Sequence, residues 1–308
     1  MKVGFIGLGT MGIGMALNLR KAGYDLIVHD LRKESAQPVI EAGAVWAETV
    51  ADLGQVADVV FTSLPGPREM EAVGVGEAGL LGSMRPGSTW FDLTTNSPTV
   101  VQDVSKRFQE KGIALLDAPV SGGPSGTRSG KLAIYVGGDS KLFETHKKVL
   151  DSIGDRVIYV GPVGAGNTAK IVHNLISLVS RMAIAEGMSL GIKAGLDPLE
   201  LWNAVRQGAI GRARTLDLVA SQYLQSSYDP PSFALRLAYK DFNLALDLAR
   251  QYDVPMKQAN VAYEDYTAAL ERGWAELDSR SPMQLQNERA GVTVKASAED
   301  VQKMLARG

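Results

Sequence analysis

The first half of the chain alternates short, mainly apolar runs with segments of helical period. Residues 3–6, 26–28, 59–64, 88–93, 114–116, 132–136 and 157–159 read as strands. Their apolar residues are contiguous, without a polar residue at every second place. Strands of that kind are buried on both faces, so the pattern predicts a doubly wound, mostly parallel sheet with helices on either side. Breakers fall between the elements: Gly23 ends the first helix, and Pro65-Gly66-Pro67 ends the strand at 59–64. After Gly161-Pro162 the period changes. One helical pattern runs from 167 to 194, and Asp197-Pro198-Leu199-Glu200 opens the next helix with an N-cap, a proline at N1 and a capping-box acid. Helical period continues through 233–252 and 256–272, and a short helix is expected at 298–306. The predicted organisation is an α/β domain over 1–162, an all-α domain over 163–292 joined to it by a long helix, and a tail over 293–308. The polar stretch from Trp274 onward reads as surface.

Composition narrows the chemistry. The chain has 308 residues, enough for two domains, and a formal net charge of −2 that gives no electrostatic reason to invoke nucleic acid or a membrane surface. It has no cysteine, which excludes disulfides, thiolate metal sites and a cysteine nucleophile. Its histidines, His29, His146 and His173, are far apart in sequence, so no metal site is expected. The apolar stretch 171–192 is interrupted by His173, Asn174, Arg181 and Glu186, and reads as a buried helix rather than a membrane span. The first strand begins at once, so a cytoplasmic protein is expected.

The first strand runs straight into Gly7-x-Gly9-x-x-Gly12, and a helical pattern follows. In that context the three glycines serve a tight turn, a close backbone approach to a pyrophosphate, and close helix–strand packing. The helix N-terminus then faces the phosphates. A Rossmann-type dinucleotide site is therefore expected, with Gly7, Leu8, Gly9, Thr10, Met11 and Gly12 around the cofactor. Asp30 ends the second strand near the offset of a ribose-binding acid. A carboxylate there accepts from ribose hydroxyls and repels a 2′-phosphate, favouring NAD over NADP. Arg32, beyond Leu31, is the counter-signal, because a guanidinium can pair with that phosphate.

Three further segments carry chemistry. In Asp117-Ala118-Pro119-Val120-Ser121-Gly122-Gly123-Pro124-Ser125-Gly126, Ser121 offers a hydroxyl and the glycines offer open backbone N–H groups. That suits a small carboxylate, although a plain loop fits as well. Gly164-Ala165-Gly166-Asn167-Thr168-Ala169-Lys170 opens the long helix, with Lys170 and Asn174 four apart on one face. A cation in the first turn of an apolar helix opposes the helix dipole, and both effects push a lysine pKa down, as a general acid–base requires. In Leu237-Ala238-Tyr239-Lys240-Asp241-Phe242-Asn243, Lys240 could reach an anionic substrate or cofactor, or form a surface ion pair.

Five segments in this order, GLGTMGIGMALNL, DLTTNSP, DAPVSGGPSG, GAGNTAKIVHN and KDFNLAL, resemble the β-hydroxyacid dehydrogenase family over nearly the whole chain. The resemblance implies a helical domain that shapes the substrate cleft and forms a homodimer or homotetramer. It implies Lys170 as catalytic acid–base, with Ser121, Gly122, Gly123 and Asn174 holding the carboxylate or hydroxyl of a small 3-hydroxy acid or its semialdehyde. Lys240 would lie near nicotinamide and substrate, with Thr95, Leu64 and Pro65 lining the cofactor groove. Thr94 where the family has serine, Pro124, Arg128 and Lys131 around the substrate loop, and Arg212 and Arg214 beyond Gly208 depart from the pattern and leave the substrate open. An imine reductase, and a catalytically silent nucleotide-binding module, are the other readings.

Overall fold

A computed structural model describes residues 1–193, 195–212, 217–251 and 256–306. The chain divides into two compact units, Met1–Val172 and His173–Gly308.

The first unit is built on nine strands: β1 (Lys2–Ile6), β2 (Asp25–His29), β3 (Val45–Trp46), β4 (Val59–Thr62), β5 (Thr89–Asp92), β6 (Ala114–Asp117), β7 (Val120–Ser121), β8 (Ala133–Gly137) and β9 (Arg156–Gly161). Six of them are parallel in the order β3-β2-β1-β4-β5-β6. That is the strand order of the dinucleotide-binding fold. β8 runs antiparallel to β6 and β7, and β9 pairs parallel to β8. The two-residue strands β3 and β7 are too short to leave a period in the sequence.

Alternate residues of each strand enter opposite layers, as a doubly covered sheet requires. Phe5, Phe61, Phe91 and Leu116 pack on one face with Met15, Leu19 and Ile134. Ile6, Val60, Trp90 and Leu115 pack on the other with Val101 and Phe108. Phe61 and Phe91 stack across β4 and β5 with centroids 5.4 Å apart. Each such fully buried ring is worth about 1.5–3 kcal/mol in water-to-interior transfer.

The long helix is Ala165–Lys193, close to the expected 167–194 span, with Ala194 outside the described residues. The units divide inside this helix, beyond the 162/163 boundary read from the sequence, because its first turn is bonded into the sheet unit through Asp117.

The second unit is helical among its described residues. Helix Pro198–Gln207 starts where expected, with Asp197 Oδ1 accepting from the Leu199 and Glu200 backbone N–H groups at 2.9 and 3.0 Å. Helix Leu235–Gln251 starts two residues after the expected 233, and Tyr252 lies outside the described residues. Helix Lys257–Glu271 packs against it, and Trp202, Tyr223, Phe242 and Tyr266 fill the core. The stretch beyond Trp274 is not a surface tail. Asp278, Ser279, Met283, Leu285, Val294, Val301 and Met304 are buried, and a helix over Pro282–Ala290 precedes the expected one at Ala298–Ala306. Some of the polar residues that made it look exposed are partners of buried groups: Arg280 bonds to Asp278 and Asn287 to Tyr223. Among the described residues no helix is long and apolar enough to cross a membrane.

Candidate functional site

The motifs of the sheet unit come together through register. His29, Ile6, Thr62, Asp92 and Asp117 are paired neighbours across β2, β1, β4, β5 and β6. The glycine loop, Asp30 to Arg32, Leu64-Pro65, Thr94-Thr95 and the segment before Ser121 therefore all leave the sheet from one edge, at the carboxyl ends of its strands. In open α/β sheets that edge, where the strand order reverses between β1 and β4, is where ligands bind.

The glycine loop has the shape a dinucleotide needs. Gly7 sits at φ +93°, and a Cβ there would stand 2.3 Å from the Ser63 carbonyl oxygen. A Cβ on Gly12 would stand 1.8 Å from the Gly7 carbonyl oxygen, whereas one on Gly9 would meet nothing within 4 Å. The first and third glycines are thus packing requirements, and the second borders open space where a phosphate can approach. Helix Gly12–Lys21 follows, with Thr10 exposed and Met11 half-buried at its start. Asp30 fixes the loop to the end of β2. Its Oδ2 accepts from the Leu8 N–H at 2.6 Å and its Oδ1 from the Arg32 N–H at 2.9 Å. Leu31 and Arg32 are exposed.

Behind this edge lies a polar network that the sequence did not single out. Asp92, fully buried, accepts from Thr62 Oγ1 at 2.8 Å, the Thr94 N–H at 3.2 Å and Asn96 Nδ2 at 3.3 Å. Thr94 Oγ1 in turn accepts from the Leu64 N–H at 3.1 Å, so the departure from serine keeps a working hydroxyl. Asp117, also fully buried, accepts from the Gly164 and Asn167 backbone N–H groups at 2.7 Å each. Asn167 Oδ1 accepts from the Asn96 N–H at 2.6 Å. The strand ends carrying Thr95 are thereby tied to the helix start carrying Lys170. Burial raises the Asp92 pKa, and burial, with Asp92 nearby, pushes Asp117 up to about 6 against the bonds from Gly164 and Asn167. The available signal was two apolar strands each ending in an aspartate.

Ser121 ends β7, and the residues after it are a helix, Gly123–Ser129, rather than a loop. Gly122 and Gly123 take φ of +140° and +60°, open to few other residues. That helix is docked on the first one. A Cβ on Gly14 would stand 2.7 Å from Thr127 Oγ1, and Asn18 Nδ2 donates to the Thr127 carbonyl at 2.6 Å.

Lys170 is only 9% exposed, in the second turn of the long helix. Four residues on, in the helical unit, Asn174 Nδ2 donates to Asp241 Oδ2 at 2.6 Å. Lys240 Nζ stands 2.9 Å from Asp241 Oδ1, with Asp241 buried and Lys240 partly exposed. Asp241, quoted in the sequence only beside Lys240, thus fixes the rotation of the Asn174 carboxamide. Arg212 is exposed, its Nε donating to the Gln207 carbonyl at 3.0 Å, while Arg214 lies outside the described residues. Among the described residues no group of three or more His, Asp or Glu side chains could hold a metal ion.

Comparison with known proteins assigns both units. Residues 2–161 match the NAD binding domain of 6-phosphogluconate dehydrogenase. Residues 164–285 match the NAD-binding domain of NADP-dependent 3-hydroxyisobutyrate dehydrogenase. The mitochondrial 3-hydroxyisobutyrate dehydrogenase of Rattus norvegicus is 37% identical over 80% of this chain and 75% of its own length. The 2-(hydroxymethyl)glutarate dehydrogenase of Eubacterium barkeri is 36% identical over 82% of this chain and 83% of its own. Among solved structures, 3-hydroxyisobutyrate dehydrogenase from Salmonella typhimurium superposes with a TM-score of 0.83 at 28% identity, covering 92% of this chain and 99% of that one. The chain therefore belongs to the 3-hydroxyisobutyrate dehydrogenase family of NAD(P)-dependent hydroxy-acid oxidoreductases.

Proposed function

We propose that the chain interconverts a small 3-hydroxy acid and its semialdehyde, with Lys170 as the general acid–base. The observation that carries this is the near-complete burial of Lys170 beside Asn174, one turn on, whose carboxamide Asp241 holds. A buried amine on an ordered helix has a fixed position and little water to compete for its proton.

Ser121 and the N–H groups of Gly122 and Gly123 receive the substrate carboxylate. Asn174 orients the reacting oxygen, and Lys240 holds the substrate and the nicotinamide side of the cofactor. In oxidation the neutral Lys170 Nζ accepts the hydroxyl proton as the carbinol C–H leaves with its electron pair; in reduction the protonated amine returns that proton to the aldehyde oxygen. When bound, the nicotinamide supplies or takes up the hydride. No metal is invoked. Gly7, Gly9 and Gly12 cradle the pyrophosphate, Thr10 and Met11 border it, and Leu64, Pro65 and Thr95 line the groove. NAD is preferred because Asp30 sets a carboxylate beside the ribose. Exposed Ile176 and Val261, and a groove of about 620 Å³ lined by Leu175, Ile176, Val179 and Met256, support a homodimer or homotetramer.

Family membership favours this reading over imine reduction and over a silent module. The test is Lys170→Ala, assayed by nicotinamide absorbance with a panel of 3-hydroxy acids. Turnover falls by about three orders of magnitude while cofactor affinity stays near wild type. Largely intact turnover sinks the assignment.

A further inference from the structure

Lys170 and Asn174 do not end the polar stripe on the long helix. Ser177 and Arg181 follow at spacings of three and four, so all four residues share one face. Helical side chains lean back toward the N-terminus. Arg181 does so: its Nη2 lies 3.5 Å from Ser177 Oγ, and its Nη1 donates to Ser279 Oγ at 2.9 Å. The guanidinium is thus carried at the level of Ser177, about 5 Å along the axis from Asn174 at 1.5 Å per residue.

Arg181 makes these bonds to neutral groups. Among the described residues no carboxylate pairs with it, because the nearby Asp278 is already engaged. Asp278 Oδ1 accepts from Arg280 Nη1 at 2.8 Å and the Arg280 N–H at 3.0 Å; its Oδ2 accepts from Ser232 Oγ at 2.8 Å and the Ser232 N–H at 2.9 Å. Of two half-buried arginines, Arg280 therefore pairs with this aspartate and Arg181 does not. Burial lowers the Arg280 pKa, and Arg181 pushes the same way against Asp278. Arg280 Nε and the fully buried Ser281 Oγ have no hydrogen-bond partner. A cluster with one surplus positive charge and spare donors, largely out of water, is unfavourable unless an anion completes it.

We propose that Arg181, backed by Arg280 and flanked by Ser177 and Ser279, is an anion subsite that receives a second carboxylate at the far end of the substrate. The preferred substrates are then dicarboxylic hydroxy acids. The gap from Asn174 suits a spacer of two or three carbons. This rests on the reading that Lys170 and Asn174 face the reacting carbon.

The test compares 2-(hydroxymethyl)adipate with 2-(hydroxymethyl)hexanoate, which differ only in carboxylate against methyl at the far end. The readout is the ratio of their kcat/KM values within each enzyme, which cancels differences in folded fraction. Wild type favours the diacid by about tenfold or more, Arg181→Met abolishes the preference, and Arg181→Lys keeps part of it. Ser279→Ala, which removes one partner of the guanidinium, weakens it. Equal use of both acids by wild type, or a preference that survives in Arg181→Met, overturns the subsite and leaves the reaction standing. Turnover of neither acid overturns the reaction reading. The subsite is then judged on binding alone: non-reacting adipate raises the Tm of wild type but not of Arg181→Met, and no rise overturns it. Equal protection by inorganic phosphate overturns the assignment to the substrate, since a free anion then fills the site.

Discussion

Replacing Asp117 by asparagine changes one atom in the sheet unit, and its destabilising effect should fade as pH rises. The carboxylate accepts from the Gly164 N–H on one oxygen and the Asn167 N–H on the other, both at 2.7 Å. A carboxamide has a single accepting oxygen. Whichever way it turns, one of those N–H groups faces an NH₂, and leaving a buried donor unpaired costs about 1–3 kcal/mol. The carboxylate has a cost of its own. Its pKa stands at about 6 in the fold against 3.8 unperturbed, so ionising it in the folded state opposes folding by about 3 kcal/mol. The sign follows from the raised folded pKa: wild type has its full contribution from this group below pH 3.8 and loses it as pH rises through 6. The asparagine variant has no such loss. It should be less stable than wild type by about 1–3 kcal/mol near pH 4 and comparable with it near pH 8, where the two costs offset. Urea unfolding of both proteins across that range, taken as a difference so that other groups cancel, measures this. A stability difference that stays constant from pH 4 to 8 refutes the reasoning.

Two more outcomes are expected. Asp30→Ser should cut kcat/KM with NAD by about tenfold or more and move the NAD-to-NADP ratio toward NADP, because it removes both the ribose acceptor and the charge that repels a 2′-phosphate; steady-state kinetics with each cofactor read it, and an unchanged ratio sinks the role given to Asp30. Arg206 is 7% exposed and its guanidinium holds Asp217 and the carbonyls of Met304 and Leu305. Arg206→Met should therefore destabilise the helical unit by about 2–4 kcal/mol and open the Ala298–Ala306 helix to protease, and equal resistance in variant and wild type refutes that latch.

Much of the sheet unit was legible because its physics is local. Contiguous apolar residues mark strands covered on both faces, and Gly7 and Gly12 stand where only glycine fits, beside the Ser63 and Gly7 carbonyls. Asp92 and Asp117 were not legible as partners. They lie in different motifs, and only the β5–β6 register sets them side by side. The same holds for Asp241, whose bond to Asn174 spans 67 residues. The tail beyond Trp274 misled because polarity was equated with exposure. Asp278 and Ser281 are polar and fully buried, and Asp278 is engaged by Ser232, 46 residues away, which no window of sequence displays.

The docking of helix Gly123–Ser129 on helix Gly12–Lys21 has a bearing on redesign. With no side chain at Gly14, and with Asn18 gripping the Thr127 carbonyl, the segment behind Ser121 and the helix behind the glycine loop form one interlocking block. A chimera that transplants 121–129 from a relative to alter selectivity must carry that relative's residues at 14 and 18 as well. Otherwise the graft sits on a surface cut for a different insert, and the misfit propagates to the cofactor end of the protein before any new substrate is met.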